Sequence, residues 1–299
     1  MTNISNRILI TGSNGLLGQK IALQCLKNNI DFIATSLGEN RNTNISPEQY
    51  TEMNICDPNQ ISTVLDLFKP THVIHTAAIT NVDYCELNAE KCQQTNVFAS
   101  SYIWDACQER NIHFQFLSTD FVFDGISGNY SELDKVNPLS IYAKSKVDSE
   151  NNLIQSSNKN WSIVRTIIVY GQGINLSRSN VICWAKEALS KEQEMRIVDD
   201  QYRAPTWADD LAWACLRICE LNKQGIYHIS GPETMSIFEI VSRVAEHFDL
   251  STKSLTKTSS KALSQPAKRP PKTGFNLNKS KNELGYNPKT LEETLDLLI

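Results

Sequence analysis

The sequence predicts an α/β protein built on a doubly wound parallel sheet, with a second, smaller and discontinuous domain. Three observations carry this expectation. The apolar run Arg7-Ile8-Leu9-Ile10-Thr11 breaks on glycines and resumes as a helical pattern. Apolar, β-branched runs then alternate with helical segments to about residue 117, and the alternation is lost beyond Gly171. A strand-then-helix rhythm requires crossover connections, which place successive strands in parallel with right-handed turns.

The first strand ends at Gly12-Ser13-Asn14-Gly15-Leu16-Leu17-Gly18, and Ile21, Ala22, Cys25 and Leu26 follow on a helical pattern. Glycines in a strand-to-helix turn let the backbone approach a pyrophosphate, whose charge meets the helix N-terminus. Gly12, Gly15 and Gly18 are therefore candidate dinucleotide ligands, with Asn14, Leu16 and Leu17 in the same turn. The second strand, Asp31–Ser36, ends without a carboxylate for a ribose 2′-hydroxyl and runs into Leu37-Gly38-Glu39-Asn40-Arg41. Ser36 with Arg41 suits a 2′-phosphate and favours NADPH, while Glu39 leaves NADH open.

A third strand is expected over Thr51–Ile55, then a helix over Pro58–Phe68 started by Asp57 with proline at its first position, and a fourth strand over Val73–Thr76. Ala77 and Ala78 leave room for a cofactor against the backbone or serve helix packing. A long helical pattern spans Asn88–Gln108, and His113–Leu117 supplies the fifth strand, which ends in Ser118-Thr119-Asp120. Ligands of open α/β sheets bind beyond the carboxyl ends of strands, so these three residues stand where a hydroxyl can meet a substrate carbonyl. The next helix places Tyr142 and Lys146 four residues apart on one face. A nearby cation favours the phenolate and draws a tyrosine, with its ordinary pKa of about 10, toward proton transfer near neutrality.

Past Gly171 the pattern gives a polar loop over Ile174–Asn180, a helix over Val181–Leu189, a short strand over Met195–Val198 and a helix over Trp207–Glu220. Ile226–Ile229 rejoins the sheet; a helix over Ser236–Phe248, a surface-crossing segment over Ser251–Lys272 and short helices at Asn278–Leu284 and Leu291–Leu297 complete the chain. Residues 1–172 and 205–230 are expected to form the nucleotide-binding domain, and residues 173–204 and 231–299 the other. Lys268-Arg269-Pro270-Pro271-Lys272 is the densest basic cluster; Arg269, and with it Arg178 and Arg203, are candidate anion ligands. His75 and His113 lie in strands and read as packed core.

The 299 residues carry a net charge of −4 with 40% hydrophobic and 21% charged side chains, which gives no basic footprint for nucleic acid or an anionic membrane. The longest apolar runs fall short of a bilayer span and no signal-peptide core precedes Arg7, so a cytoplasmic protein is expected. The eight cysteines include no C-x-x-C pair and read as buried thiols; no metal site is expected.

Gly12-x-x-Gly15-x-x-Gly18, Ser118-Thr119-Asp120 and Tyr142-x-x-x-Lys146, in that order, resemble the extended short-chain dehydrogenase/reductases, a Rossmann-type group with a smaller, discontinuous substrate-binding domain. Phe121-Val122-Phe123-Asp124-Gly125, Arg165-Thr166-Ile167-Ile168-Val169-Tyr170-Gly171, Val198 to Thr206 and Arg269-Pro270-Pro271 narrow the resemblance to dTDP-4-dehydrorhamnose reductases and related sugar-nucleotide enzymes. It implies that Tyr142 donates a proton to a carbonyl oxygen, that Lys146 holds the nicotinamide ribose and depresses the tyrosine pKa, and that Thr119 orients a nucleotide-sugar substrate. It places Asn54, Ile55, Ala77, Ala78, Thr80, Asn96 and Ile168 beside the cofactor. Asn81, Asp120, Arg178, Asn180, Arg203 and Arg269 fall beside the substrate, with Arg269 on its diphosphate. Relatives form dimers, so a homodimer is a further expectation. Two departures bear on the sugar: Ile168 stands where the reductases often carry tryptophan, and Arg203-Ala204 where they often carry glycine. The regulatory β-subunit of methionine adenosyltransferase resembles the same group, so a non-catalytic binding subunit is the alternative, as is another nucleotide-sugar reductase or epimerase.

Overall fold

The computed structural model describes residues 6–298. Its centre is a seven-stranded, wholly parallel sheet made of β1 (Arg7–Thr11), β2 (Asp31–Ser36), β3 (Tyr50–Glu52), β4 (His72–His75), β5 (His113–Thr119), β6 (Trp161–Thr166) and β7 (Gly225–Ile229). The strands lie in the order β7-β6-β5-β4-β1-β2-β3. The order reverses between β1 and β4, and that switch point opens a crevice at the strands' carboxyl ends.

Strand residues alternate between faces, so one strand feeds two cores. Ile8 and Ile10 pack with Ile21, Cys25, Leu211, Cys215 and Ile218 on one face, whereas Leu9 packs with Val73, Ile61, Leu65, Ile103 and Trp104 on the other. A third core gathers Tyr170, Ile182, Leu189, Ile197, Trp207, Ile240, Val244, Leu291 and Leu295 from the second half of the chain. Three small two-stranded pairings brace it: Val169–Tyr170 with Thr206–Trp207, Tyr202–Arg203 with Met235–Ser236, and Met195–Val198 with Leu255–Thr258.

The helix over Pro58–Phe68 starts as its sequence predicts, with Asp57 accepting from the backbone of Asn59 and Gln60. Among the elements that differ from expectation are these three. β3 stops at Glu52, because Asn54 folds into a turn: its side chain accepts from Cys56 N at 3.0 Å and its carbonyl from Asp57 N. The long helix is divided into Ala89–Gln93, a π-helical turn at Gln94–Phe98 and Ala99–Glu109. Within the expected surface-crossing segment, Leu255–Thr258 is a paired strand and Ser260–Leu263 a helical turn. Among the described residues no helix is long and apolar enough to cross a membrane.

Candidate functional site

At the end of β1 the chain turns on Gly12, whose φ is +69° and whose absent Cβ would lie 2.7 Å from Ala77 N. A Cβ on Gly18 would meet Gly12 O at 2.6 Å. Glycine at both positions lets the turn, the following helix and the end of β4 close on one another. The helix Leu16–Lys27 begins with no side-chain cap and no acidic residue in its first turn, leaving its positive end available to an anion. The Ser13 hydroxyl in this turn is buried and, among the described residues, has no hydrogen-bond partner. This arrangement fits the pyrophosphate of a dinucleotide.

Asn14 has a structural task. Its amide nitrogen donates to Glu39 O and its oxygen accepts from Arg41 N, both at 2.8 Å, so it folds the Ser36-to-Arg41 loop against the glycine turn. Asn54 and Ile55 lie in the turn after β3, with Ile55 packed against the core that contains Leu9. Ala77 and Ala78 are half-buried after β4. Asn96 is fully buried in the π-helical turn, where its amide donates to Ile79 O at 3.0 Å and accepts from Ile79 N at 2.8 Å. The wider turn points this side chain inward and fixes the segment on which Ala77, Ala78 and Thr80 lie.

Thr119 closes β5. Its hydroxyl donates to Asp120 Oδ1 at 3.1 Å and accepts from Phe121 N, and it lies near enough to the Tyr142 phenol to act on its pKa. Tyr142 starts the helix Ile141–Ile154, capped by Ser140, and its ring meets Phe121 edge-on. Burial pushes the phenol pKa up, opposed by the neighbouring Thr119 hydroxyl and the charge of Arg178. The expected depression by Lys146 is not realised. Lys146 is itself buried, donates to Leu117 O at 2.9 Å and lies 4.6 Å over the Phe116 ring, so its charge is directed at β5. Burial lowers its pKa to about 8, with Glu150 acting against the fall.

Glu150, one turn beyond Lys146, escaped the sequence reading although its four-residue spacing was visible. It pairs twice with Arg165, at 3.0 and 2.6 Å, and accepts from Ser118 Oγ, all in the interior. Ser118 thus faces inward, and only Thr119 and Asp120 of that triplet border Tyr142.

The substrate-side candidates divide. Arg178 is exposed and donates to Thr80 Oγ1 at 2.7 Å, close enough to Tyr142 for its charge to be felt. Arg269 makes its bidentate contact with Asp83, at 3.1 and 2.7 Å. Arg203 is not a surface anion ligand: it is 2% exposed, donates to the carbonyls of Tyr202 and Pro270 at 2.7 Å each, and stands 3.7 Å from Asp120. Asp120 in turn accepts from the Thr273 hydroxyl, and burial raises its pKa against the pull of Arg203. Asn81 and Asn180 cap helices, accepting from Tyr84 N and Cys183 N at 3.0 Å each, so those oxygens are engaged by backbone. Ile168 adopts φ +32°, a strained state for a β-branched residue, at the edge of the same region.

The model of the RmlD substrate-binding domain family matches residues 6–299. The chain belongs to that family. It is 29% identical to the dTDP-4-dehydrorhamnose reductase of Aggregatibacter actinomycetemcomitans, across 97% of both chains. It is 30% identical to methionine adenosyltransferase 2 subunit beta of Xenopus laevis, over 82% of this chain and 73% of that one. Among solved structures, a dTDP-4-dehydrorhamnose reductase from Clostridium acetobutylicum superposes with a TM-score of 0.85 at 26% identity, covering 98% of each. The parallel sheet and crevice described above are thus those of an RmlD-like Rossmann fold.

Proposed function

We propose that the protein is an oxidoreductase that reduces the keto group of a nucleotide-linked 4-keto-6-deoxy sugar, dTDP-4-dehydrorhamnose to dTDP-rhamnose, with NADPH. The observation that carries this reading is the placement of two neighbouring hydroxyls, Thr119 and Tyr142, at the carboxyl edge of the sheet that also carries the glycine turn. The 97% coverage of a reductase at 29% identity supports it. The dinucleotide supplies a hydride when bound. Gly12, Gly15, Gly18 and the helix start receive its pyrophosphate, and Ser36 and Arg41 its adenosine end. Thr119 positions the carbonyl oxygen, Tyr142 gives that oxygen its proton, and Lys146, still cationic below about pH 8, stabilises the charge that develops. Arg178, exposed and near Tyr142, serves as the anion ligand of the substrate.

A panel of nucleotide-linked keto sugars, followed by NADPH oxidation, tests the reaction; the reading is lost if no member is reduced. Cofactor choice is tested separately by the NADPH-to-NADH affinity ratio, which Arg41→Ala should lower. A second reading, a non-catalytic nucleotide-binding regulatory subunit, is favoured by the 30% identity to the methionine adenosyltransferase β-subunit. A stoichiometric complex with a synthetase, together with no turnover of any keto sugar, would establish it instead.

A further inference from the structure

One side chain ties the glycine turn to a loop from the second half of the chain. Gln19, at the start of the helix Leu16–Lys27, is 1% exposed. Its amide nitrogen donates to Asn14 O at 3.2 Å and to Ile174 O at 2.7 Å, and its oxygen accepts from Ile174 N at 2.8 Å. A single buried amide thus holds both backbone groups of Ile174 and keeps its second N–H for the turn that fits a pyrophosphate. Room for it comes from Gly173, where a Cβ would lie 2.8 Å from Gln19 Oε1 and 3.1 Å from the methyl carbons of Leu176.

The loop has further ties, and they lead to both sides of the switch point. Asn175 donates to Arg41 O at 3.4 Å, in the loop after β2, and Arg178 donates to Thr80 Oγ1 at 2.7 Å, in the segment after β4. Asn14, Arg41, Asn175, Ile174 and Gln19 close a ring of polar ties, because Asn14 accepts from Arg41 N through its side chain and from Gln19 through its carbonyl. Apolar burial contributes little here: Gly173, Asn175, Ser177, Arg178 and Ser179 are exposed, and Ile174 and Leu176 half-buried. A loop with so few buried apolar groups is held by its hydrogen bonds and opens locally without the rest of the fold.

We propose that residues 174–178 are a clasp on the bound dinucleotide and that Gln19 is the positioning residue that couples the clasp to the glycine turn. A pyrophosphate on the turn fixes Asn14, and the Gln19 amide passes that order to Ile174. Such coupling is reciprocal: the factor by which the dinucleotide steadies the loop is the factor by which the loop tightens the dinucleotide. The clasp also carries Arg178, so its closure sets that cation beside Thr80 before an anionic substrate arrives. This last step rests on the reductase reading, whereas the coupling through Gln19 needs only the dinucleotide.

The test uses the full chain, with whichever of NADPH and NADH binds more tightly. Trypsin cuts after Arg178 to release a fragment that begins at Ser179, and brief digestion read by mass spectrometry reports how often the clasp is open. Saturating dinucleotide should slow this cut in the wild type. Gln19→Ala should speed it about tenfold and remove most of the protection by dinucleotide. In a stopped-flow displacement the same variant should release the dinucleotide about tenfold faster, with little change in association rate. Gly173→Ala keeps every polar group but crowds the Gln19 amide; it should behave alike, and it decides if Gln19→Ala does not fold. A wild-type cut that dinucleotide does not slow, or variants that are cut or release dinucleotide at the wild-type rate, overturns the proposal. A chain with the protected cut and the slow release that reduces no keto sugar refutes the reductase reading alone. One that binds neither NADPH nor NADH loses both.

Discussion

Burial raises the Tyr142 phenol above its ordinary pKa, so in the proposed reaction it enters protonated. The neighbouring Thr119 acts against that rise, and Lys146 is held to Leu117 O. Tyr142→Phe should therefore lower kcat by about 10²- to 10⁴-fold while the NADPH Kd, measured by fluorescence titration, stays unchanged. Lys146 adds a pH dependence: as pH rises through about 8 the ammonium loses its charge, and the rate should fall on that alkaline limb. A flat profile from pH 7 to 10, under conditions where the protein stays folded, would remove Lys146 from the chemistry. At this scale the reading of the sequence was uneven. Gly12, Gly18, Thr119 and Tyr142 were legible because short spacing and backbone geometry determine their places. Asn81 and Asn180 were read as ligands because a capping asparagine and a binding asparagine look alike until the backbone beside them is seen.

The elements of the sheet were legible from alternation of apolar runs, and the helix over Pro58–Phe68 from its proline and cap. The π-helical turn was not, since its sequence continues an ordinary helical pattern. Its effect is to seat Asn96 against both backbone groups of Ile79. Asn96→Ala should leave that buried N–H and C=O unpaired and cost about 1–3 kcal/mol in chemical denaturation, whereas an unchanged midpoint would mean that the segment finds other partners. The strap formed by residues 267–273 was equally hidden, because its ties to Asp83 and Asp120 cross more than 150 residues of chain. Long-range pairs leave no periodic trace in sequence, so Arg203 and Arg269 resembled free cations. Removing the Arg203 charge alone, as in Arg203→Met, should destabilise by about 3–5 kcal/mol by stranding Asp120, and Asp120→Asn should restore much of the loss.

For the whole molecule, the strands carry histidines that are buried and neutral. Burial lowers His75 to about 3 and His113 to about 4, and their ring nitrogens are engaged by Thr11 and Ser100, and by Asn160 and Ser162. In the unfolded chain these rings protonate near about pH 6.5. Between that pH and the folded values the unfolded state binds more protons, so stability falls as pH drops through this window. Scanning calorimetry should show Tm declining from about pH 6.5 downward, with a shallower decline in His75→Gln. The same slope in wild type and variant would assign acid sensitivity elsewhere.

The strap has a further consequence, for the order in which the protein is made. Asp120 neighbours Tyr142, yet two of its partners, Arg203 and Thr273, emerge from the ribosome long after it. The sheet strands are complete once Ile229 has been synthesised, but the carboxylate beneath the site remains without Thr273 until the strap arrives. A nascent chain can thus hold a finished parallel sheet while the surroundings of Tyr142 are still incomplete, and the last closure of folding is also the one that completes them.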